Sequence, residues 1–211
     1  MPPRKRQKTS PEDEVLKVVP DGDLVLKAGK KNPVLMRVSK ATMIGISKVF
    51  KAMLGPDFAE GQKVHTATDP LLLPDDDAKA MEFMMKMAHH TLSSATDILA
   101  GHLIDLVVLC DKYDCIAPFR GWFQAVLGTW YRSLVDDKRR YLKPGYGLCL
   151  MDALCVAYLT NDKQNFGDIS RSVFIWVNGE EIGQDRPYAP QLRSIIPGDF
   201  KCESPTGLHS Q

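Results

Sequence analysis

The chain has 211 residues, enough for one domain or for one domain with a helical extension. Its 27 Lys and Arg against 26 Asp and Glu leave a formal net charge of +1, which argues against the broad basic footprint of a nucleic-acid-binding domain. No apolar run approaches the roughly 20 residues of a membrane-spanning helix, and the charged N-terminus does not read as a secretory signal.

Residues 1–19 open with MPPRKRQKTSPEDE. This stretch is polar and aperiodic and predicts a disordered tail. Within it, Arg4, Lys5, Arg6 and Lys8 make a compact basic cluster. An extended basic segment fits an acidic receptor groove, so the cluster is a nuclear-import candidate; a solvated start that only aids solubility is the alternative. Ser10-Pro11 suits proline-directed phosphorylation, and a phosphate there would oppose the basic charge. Glu14-Val15-Leu16-Lys17-Val18-Val19 is short and apolar, and either adds an edge strand or covers a sheet.

From residue 21 to 60 the pattern reads as strand, turn, strand and two short helices. Leu24-Val25-Leu26 and Val34-Leu35-Met36-Arg37-Val38 are dense in β-favouring apolar residues. Ala28-Gly29-Lys30-Lys31-Asn32-Pro33 between them supplies turn residues. Met43, Ile46, Val49, Phe50, Met53 and Leu54 then recur at helical spacing. Ser39 or Thr42 caps the start and Gly55-Pro56 ends it. Gln62 to Asp69 reads as polar loop, with His65 lacking an obvious partner.

Leu71-Leu72-Leu73 predicts a short buried strand closed by Pro74. The run Asp75-Asp76-Asp77 reads as the capped, dipole-favoured start of a helix rather than as a metal site. That helix covers residues 78–88, where Ala80, Met81, Phe83, Met84, Met85 and Met87 imply burial on most sides. His89-His90 closes it, well placed at the negative helix end. The two imidazoles point in different directions, so a joint metal site is not expected. Thr96-Asp97 caps a further helix with a broad apolar face from Ile98 to Cys110. Pro118 opens another helix, whose stripe of Phe119, Trp122, Phe123, Val126, Leu127, Trp130, Tyr131 and Leu134 predicts firm burial. Asp136 to Arg140 is a charged break and Lys143 to Gly147 a turn. Two amphipathic helices follow, over 148–159 and 169–177, and the chain from 179 onward predicts an irregular tail.

Several of these residues resemble a BTB/POZ domain. Asp23 stands before the first strand. Ser47-Lys48-Val49-Phe50-Lys51-Ala52-Met53-Leu54 matches that family's Ser-Pro-Val-Phe-like box, with Lys48 where proline is common. Leu106-Val107-Val108-Leu109-Cys110-Asp111-Lys112-Tyr113 resembles its late helix. The resemblance covers about residues 21–134. Ser39 stands where a histidine is frequent, and His89-His90 where animal members have Tyr-Thr-Gly, so the chain looks most like the fungal, single-domain branch. The fold implied is α+β: a three-stranded sheet, made of the hairpin and one further strand, packed with helices. The domain plan is a tail at 1–19, the BTB/POZ-like domain at 20–135, a helical extension at 136–178 and a tail at 179–211.

What the resemblance implies for function is protein–protein interaction, either as a homodimer or with another polypeptide. Phe58-Ala59-Glu60 fits the hydrophobic-x-Glu motif by which some BTB adaptors engage a cullin ubiquitin-ligase scaffold, and part of that contact falls near His89. Phe58, Glu60 and His89 are therefore the candidate partner-binding residues. The alternative is a nuclear regulatory or transcription-associated subunit with no ubiquitin-ligase role. The corresponding location is nucleus or cytoplasm, the basic cluster favouring the nucleus. The sequence carries no Gly-rich phosphate loop, no Gly-x-Ser-x-Gly elbow and no His-Glu-x-x-His. The cysteines at 110, 115, 149, 155 and 202 match no zinc framework and read as small hydrophobes in a reducing compartment. An enzyme, a metal, a cofactor, direct nucleic-acid binding and membrane insertion are accordingly not expected.

Overall fold

The hairpin residues pair as their apolar pattern requires in the computed structural model, which describes residues 14–92, 100–136 and 146–176. The cluster Arg4, Lys5, Arg6 and Lys8, the Ser10-Pro11 dipeptide and the Thr96-Asp97 cap lie outside the described residues. So do residues 137–145 and everything from 177 onward.

Strand β2 (Leu24–Ala28) runs antiparallel to β3 (Val34–Val38), with Leu24 opposite Val38 and Ala28 opposite Val34. Ala28, which the sequence pattern assigns to the turn, is thus the last strand residue. Gly29 makes the reversal with φ of 90°, a backbone conformation that a side chain would strain. The third expected strand, β4 (Leu71–Leu73), joins β2 in parallel with Leu26 opposite Leu71. The expected three-stranded sheet has a fourth member, however. Leu16–Lys17 forms β1, parallel to β3, and the order is β1-β3-β2-β4. Two residues carry too little pattern to declare a strand, which is why the 14–19 stretch left both readings open.

Successive strand residues face opposite ways, and β2 is covered on both faces. Leu24, Leu26, Ala28, Met36 and Val38 share one buried face. On the other, Val25 packs with Val15 and Ala67, and Leu35 lies partly buried against them. Helix α1 (Lys40–Ile46) starts at Ser39, whose Oγ accepts from the Thr42 N–H at 3.3 Å. The Lys40 N–H donates to Asp23 Oδ1 at 2.7 Å, so the aspartate that precedes β2 satisfies a second free donor at this end. Ser47 ends α1 and caps α2 (Lys48–Met53).

Helix α3 (Ala78–Ala88) has the bounds read from the sequence, and Ala80, Met81, Phe83, Met84, Met85 and Met87 are all buried. Helices α4 (Ala100–Lys112) and α5 (Ile116–Asp136) follow. In the α5 stripe, Phe119, Phe123 and Leu127 are buried, while Trp122, Val126, Trp130 and Tyr131 are half-buried. The chain divides into two compact units within α5, between Gly121 and Trp122.

In the second unit α6 (Tyr146–Leu159) packs on α7 (Lys163–Trp176). Helix α7 begins six positions ahead of the expected Ile169. Asp162 is its cap: Oδ1 accepts from the Asn165 N–H at 3.1 Å and Oδ2 from the Asn165 amide at 2.5 Å. The Tyr131 hydroxyl bonds the Asp168 carbonyl at 3.0 Å and Ser172 Oγ at 2.7 Å, tying α5 to α7 inside this unit. Among the described residues no helix is long and apolar enough to cross a membrane.

Three helices stop by one device. After α3, α4 and α6 the chain enters the left-handed region at His90 (φ 55°), Asp114 (φ 48°) and Asn161 (φ 53°). In each case the next N–H reaches back to the carbonyl five residues earlier: Thr91 to Lys86, Cys115 to Cys110 and Asp162 to Ala157. This closes the free carbonyls of the last turn. None of the three is glycine.

Candidate functional site

Leu54 is buried and anchors the end of α2, and the chain then makes a closed excursion. Gly61 returns so near Gly55 that a Cβ on Gly61 would lie 1.7 Å from the Gly55 carbonyl oxygen. Only glycine permits that approach. The Gly61 N–H donates to the Phe58 carbonyl at 3.1 Å, and the Gln62 amide to the Pro56 carbonyl at 2.9 Å. The chain ends of the excursion are therefore fixed to each other.

Phe58 is carried outward on this loop and is 51% exposed. Glu60 is exposed beside it, and so are Asp57 and Ala59. Val49, on the outer side of α2, is also among the exposed large apolar residues. An aromatic ring in water next to a carboxylate, on a closed loop, has the form of an interface anchor with a polar rim.

His65, which the sequence left unpartnered, sits behind the loop. It is buried, and its Nε2 lies 2.9 Å from the Glu60 carbonyl oxygen. The Lys40 ammonium reaches the Gly61 carbonyl at 3.4 Å.

His89 stands apart from this loop in role. It caps the C-terminus of α3, with its N–H bonded to the Met85 carbonyl at 3.1 Å. Burial, and then the neighbouring His90, hold its imidazole below the ordinary histidine range. That direction disfavours the positive charge expected of His89 at this helix end. Both residues end the helix through their backbones, His89 by its N–H and His90 by its left-handed conformation. Among the described residues no hydrogen bond, ion pair or ring contact joins His89 to Phe58 or Glu60.

A polar hub lies at the start of α2. Ser47 Oγ accepts from the Phe50 N–H at 3.0 Å and donates to the Tyr113 carbonyl at 2.6 Å. The rings of Phe50 and Tyr113 stack at 4.5 Å and 10°. The Tyr113 hydroxyl donates to Asp76 Oδ2 at 2.6 Å, and the Lys112 ammonium to Oδ1 at 2.5 Å. Asp76 is buried and Lys112 largely exposed, so the ion pair opens to water only on its lysine side. Burial, and then the bond to Asp76, push the Tyr113 hydroxyl above its ordinary range.

The three consecutive aspartates thus do different work. Asp75 is exposed and pairs with Lys30 at 2.6 Å, whose hydrogen bond and charge lower its carboxyl. Asp76 is the buried acceptor of the hub. Asp77 alone is the helix cap, taking the Ala80 N–H at 2.7 Å. Asp77 is thus the aspartate that caps the helix, as the sequence pattern expects of one member of the run. Among the described residues no group of His, Cys, Asp or Glu side chains is arranged to hold a metal ion.

Searches against family models and against curated proteins both return no match for this chain.

Proposed function

We propose that the chain is a protein-interaction module of the BTB/POZ type, in which Phe58-Ala59-Glu60 is the partner-binding segment and a cullin scaffold the partner its motif fits. What supports this reading is the exposure of Phe58 on a loop whose ends are tied together. A ring held in water on an ordered loop has little freedom left to lose on docking. The two sequence segments that resemble the family also touch: Ser47 and Phe50 of the first bond and stack on Tyr113 of the second.

The test is capture of a purified cullin N-terminal region by the full chain and by Phe58→Ala. The ring is half in water, so its removal leaves the fold intact while capture is lost. Undiminished capture by Phe58→Ala would refute the reading. The second reading, a nuclear regulatory subunit, rests on Arg4, Lys5, Arg6 and Lys8 in the sequence. Residues 1–8 fused to a fluorescent reporter would carry it into the nucleus, and a reporter spread evenly through the cell would remove this reading.

A further inference from the structure

Most braces of the Phe58 loop act within the loop itself. Gly61 bonds Phe58 and Gln62 bonds Pro56, and all of these positions move together if the loop swings. Lys40 reaches Gly61 at 3.4 Å through a long flexible side chain.

His65 differs from them in both respects. It is 8% exposed, and its backbone carbonyl accepts from the Val25 N–H at 3.1 Å, which fixes it to the inner strand β2. Val25 itself is fully buried. From this anchored position the imidazole reaches back to the Glu60 carbonyl at 2.9 Å. A carbonyl only accepts, so Nε2 carries a hydrogen and is the donor. The other ring nitrogen has no partner among the described residues. The imidazole therefore makes one polar contact there, and that contact joins the sheet to the loop.

We propose that His65 is the positioning residue of the docking loop: it pins Glu60, and with it Phe58, at a fixed place relative to the sheet. The meaning of this pin for partner binding rests on the reading of Phe58 as the docking contact; the pin itself does not. Without it the loop is held only by bonds among its own residues and by the Lys40 side chain, and the Gly61 N–H to Phe58 carbonyl bond opens more often, so its ordering must be supplied when a partner docks.

The experiment compares the full chain with His65→Leu and His65→Gln by amide hydrogen exchange. The glutamine amide offers an N–H donor at similar reach, whereas leucine fills the space without one. In His65→Leu the Gly61 amide is expected to exchange about tenfold faster, the value of one lost hydrogen bond with its acceptor left unmet. Amides of β3 and α3 keep their rates, and His65→Gln stays within about twofold of the natural protein. Three results would overturn the proposal: an unchanged Gly61 rate in His65→Leu, equal acceleration in both variants, or acceleration throughout the unit. The same variants are then tested for cullin capture, which His65→Leu is expected to weaken about tenfold and His65→Gln to restore. If exchange behaves as expected and the natural chain captures no cullin, the pin stands and the docking assignment falls.

Discussion

Replacing Tyr113 with phenylalanine removes one oxygen from the hub at the start of α2 and leaves the rest in place. The ring keeps its stack on Phe50, and the Ser47 hydroxyl keeps the Tyr113 carbonyl. What is lost is the 2.6 Å bond from the hydroxyl to Asp76 Oδ2. Asp76 is buried, so water does not replace that donor freely. Lys112 still holds Oδ1, so the loss stays below the roughly 3–5 kcal/mol typical of a buried charge stripped of its partner. A hydrogen bond to a charged acceptor is worth about 1.5–3 kcal/mol, and that is the expected destabilisation. Urea unfolding followed by circular dichroism measures it as a lowered midpoint at unchanged slope. Tyr158→Phe is the control, because Tyr158 is 47% exposed on α6. A double-mutant cycle with Asp76→Ala, which removes the acceptor, should give a coupling of about 1 kcal/mol or more. A Tyr113→Phe shift no larger than the Tyr158→Phe shift would refute the account of the hub.

The same hydroxyl makes stability depend on alkaline pH. A group whose value is raised on folding contributes fully below its unfolded value, near ~10 for tyrosine, and its contribution fades as pH climbs beyond that. Urea midpoints measured from pH ~9 to ~12 should therefore fall more steeply for the natural chain than for Tyr113→Phe; parallel curves would contradict this. Asn161→Gly relieves a left-handed residue at the end of α6 and should raise stability by about 0.5–1 kcal/mol, read from the same urea curves. Phe58→Ala should cost less than about 1 kcal/mol, because only part of the ring leaves an apolar environment; a larger loss would mean that Phe58 supports the core.

Strand β3 and helix α3 were readable to the residue because their apolar patterns are local and dense. The start of α7 was missed because Lys163 to Asp168 has almost no apolar period. A signal was present in Asp162 with Asn165 three positions later, a spacing suited to a cap. The different roles of Asp75, Asp76 and Asp77 had no local signal at all. Lys30, Lys112 and Tyr113 lie 36 to 45 positions from their aspartates, and only the fold decides which carboxylate meets which partner. Phe58 was legible as a motif, and its exposure became visible only in three dimensions. His65 was invisible as a support because its acceptor is a backbone carbonyl, which no residue type advertises.

The hub also bears on the order in which the molecule is made. Ser47 finds its carbonyl 66 positions downstream, and Asp76 finds its hydroxyl 37 positions downstream. As the polypeptide leaves the ribosome, Ser47, Phe50 and Asp76 emerge before Lys112 and Tyr113 and meet water until those two residues follow. Synthesis halted before that dipeptide leaves the first unit without its closing contacts. Those contacts of the first unit can form only once the end of α4 has been made.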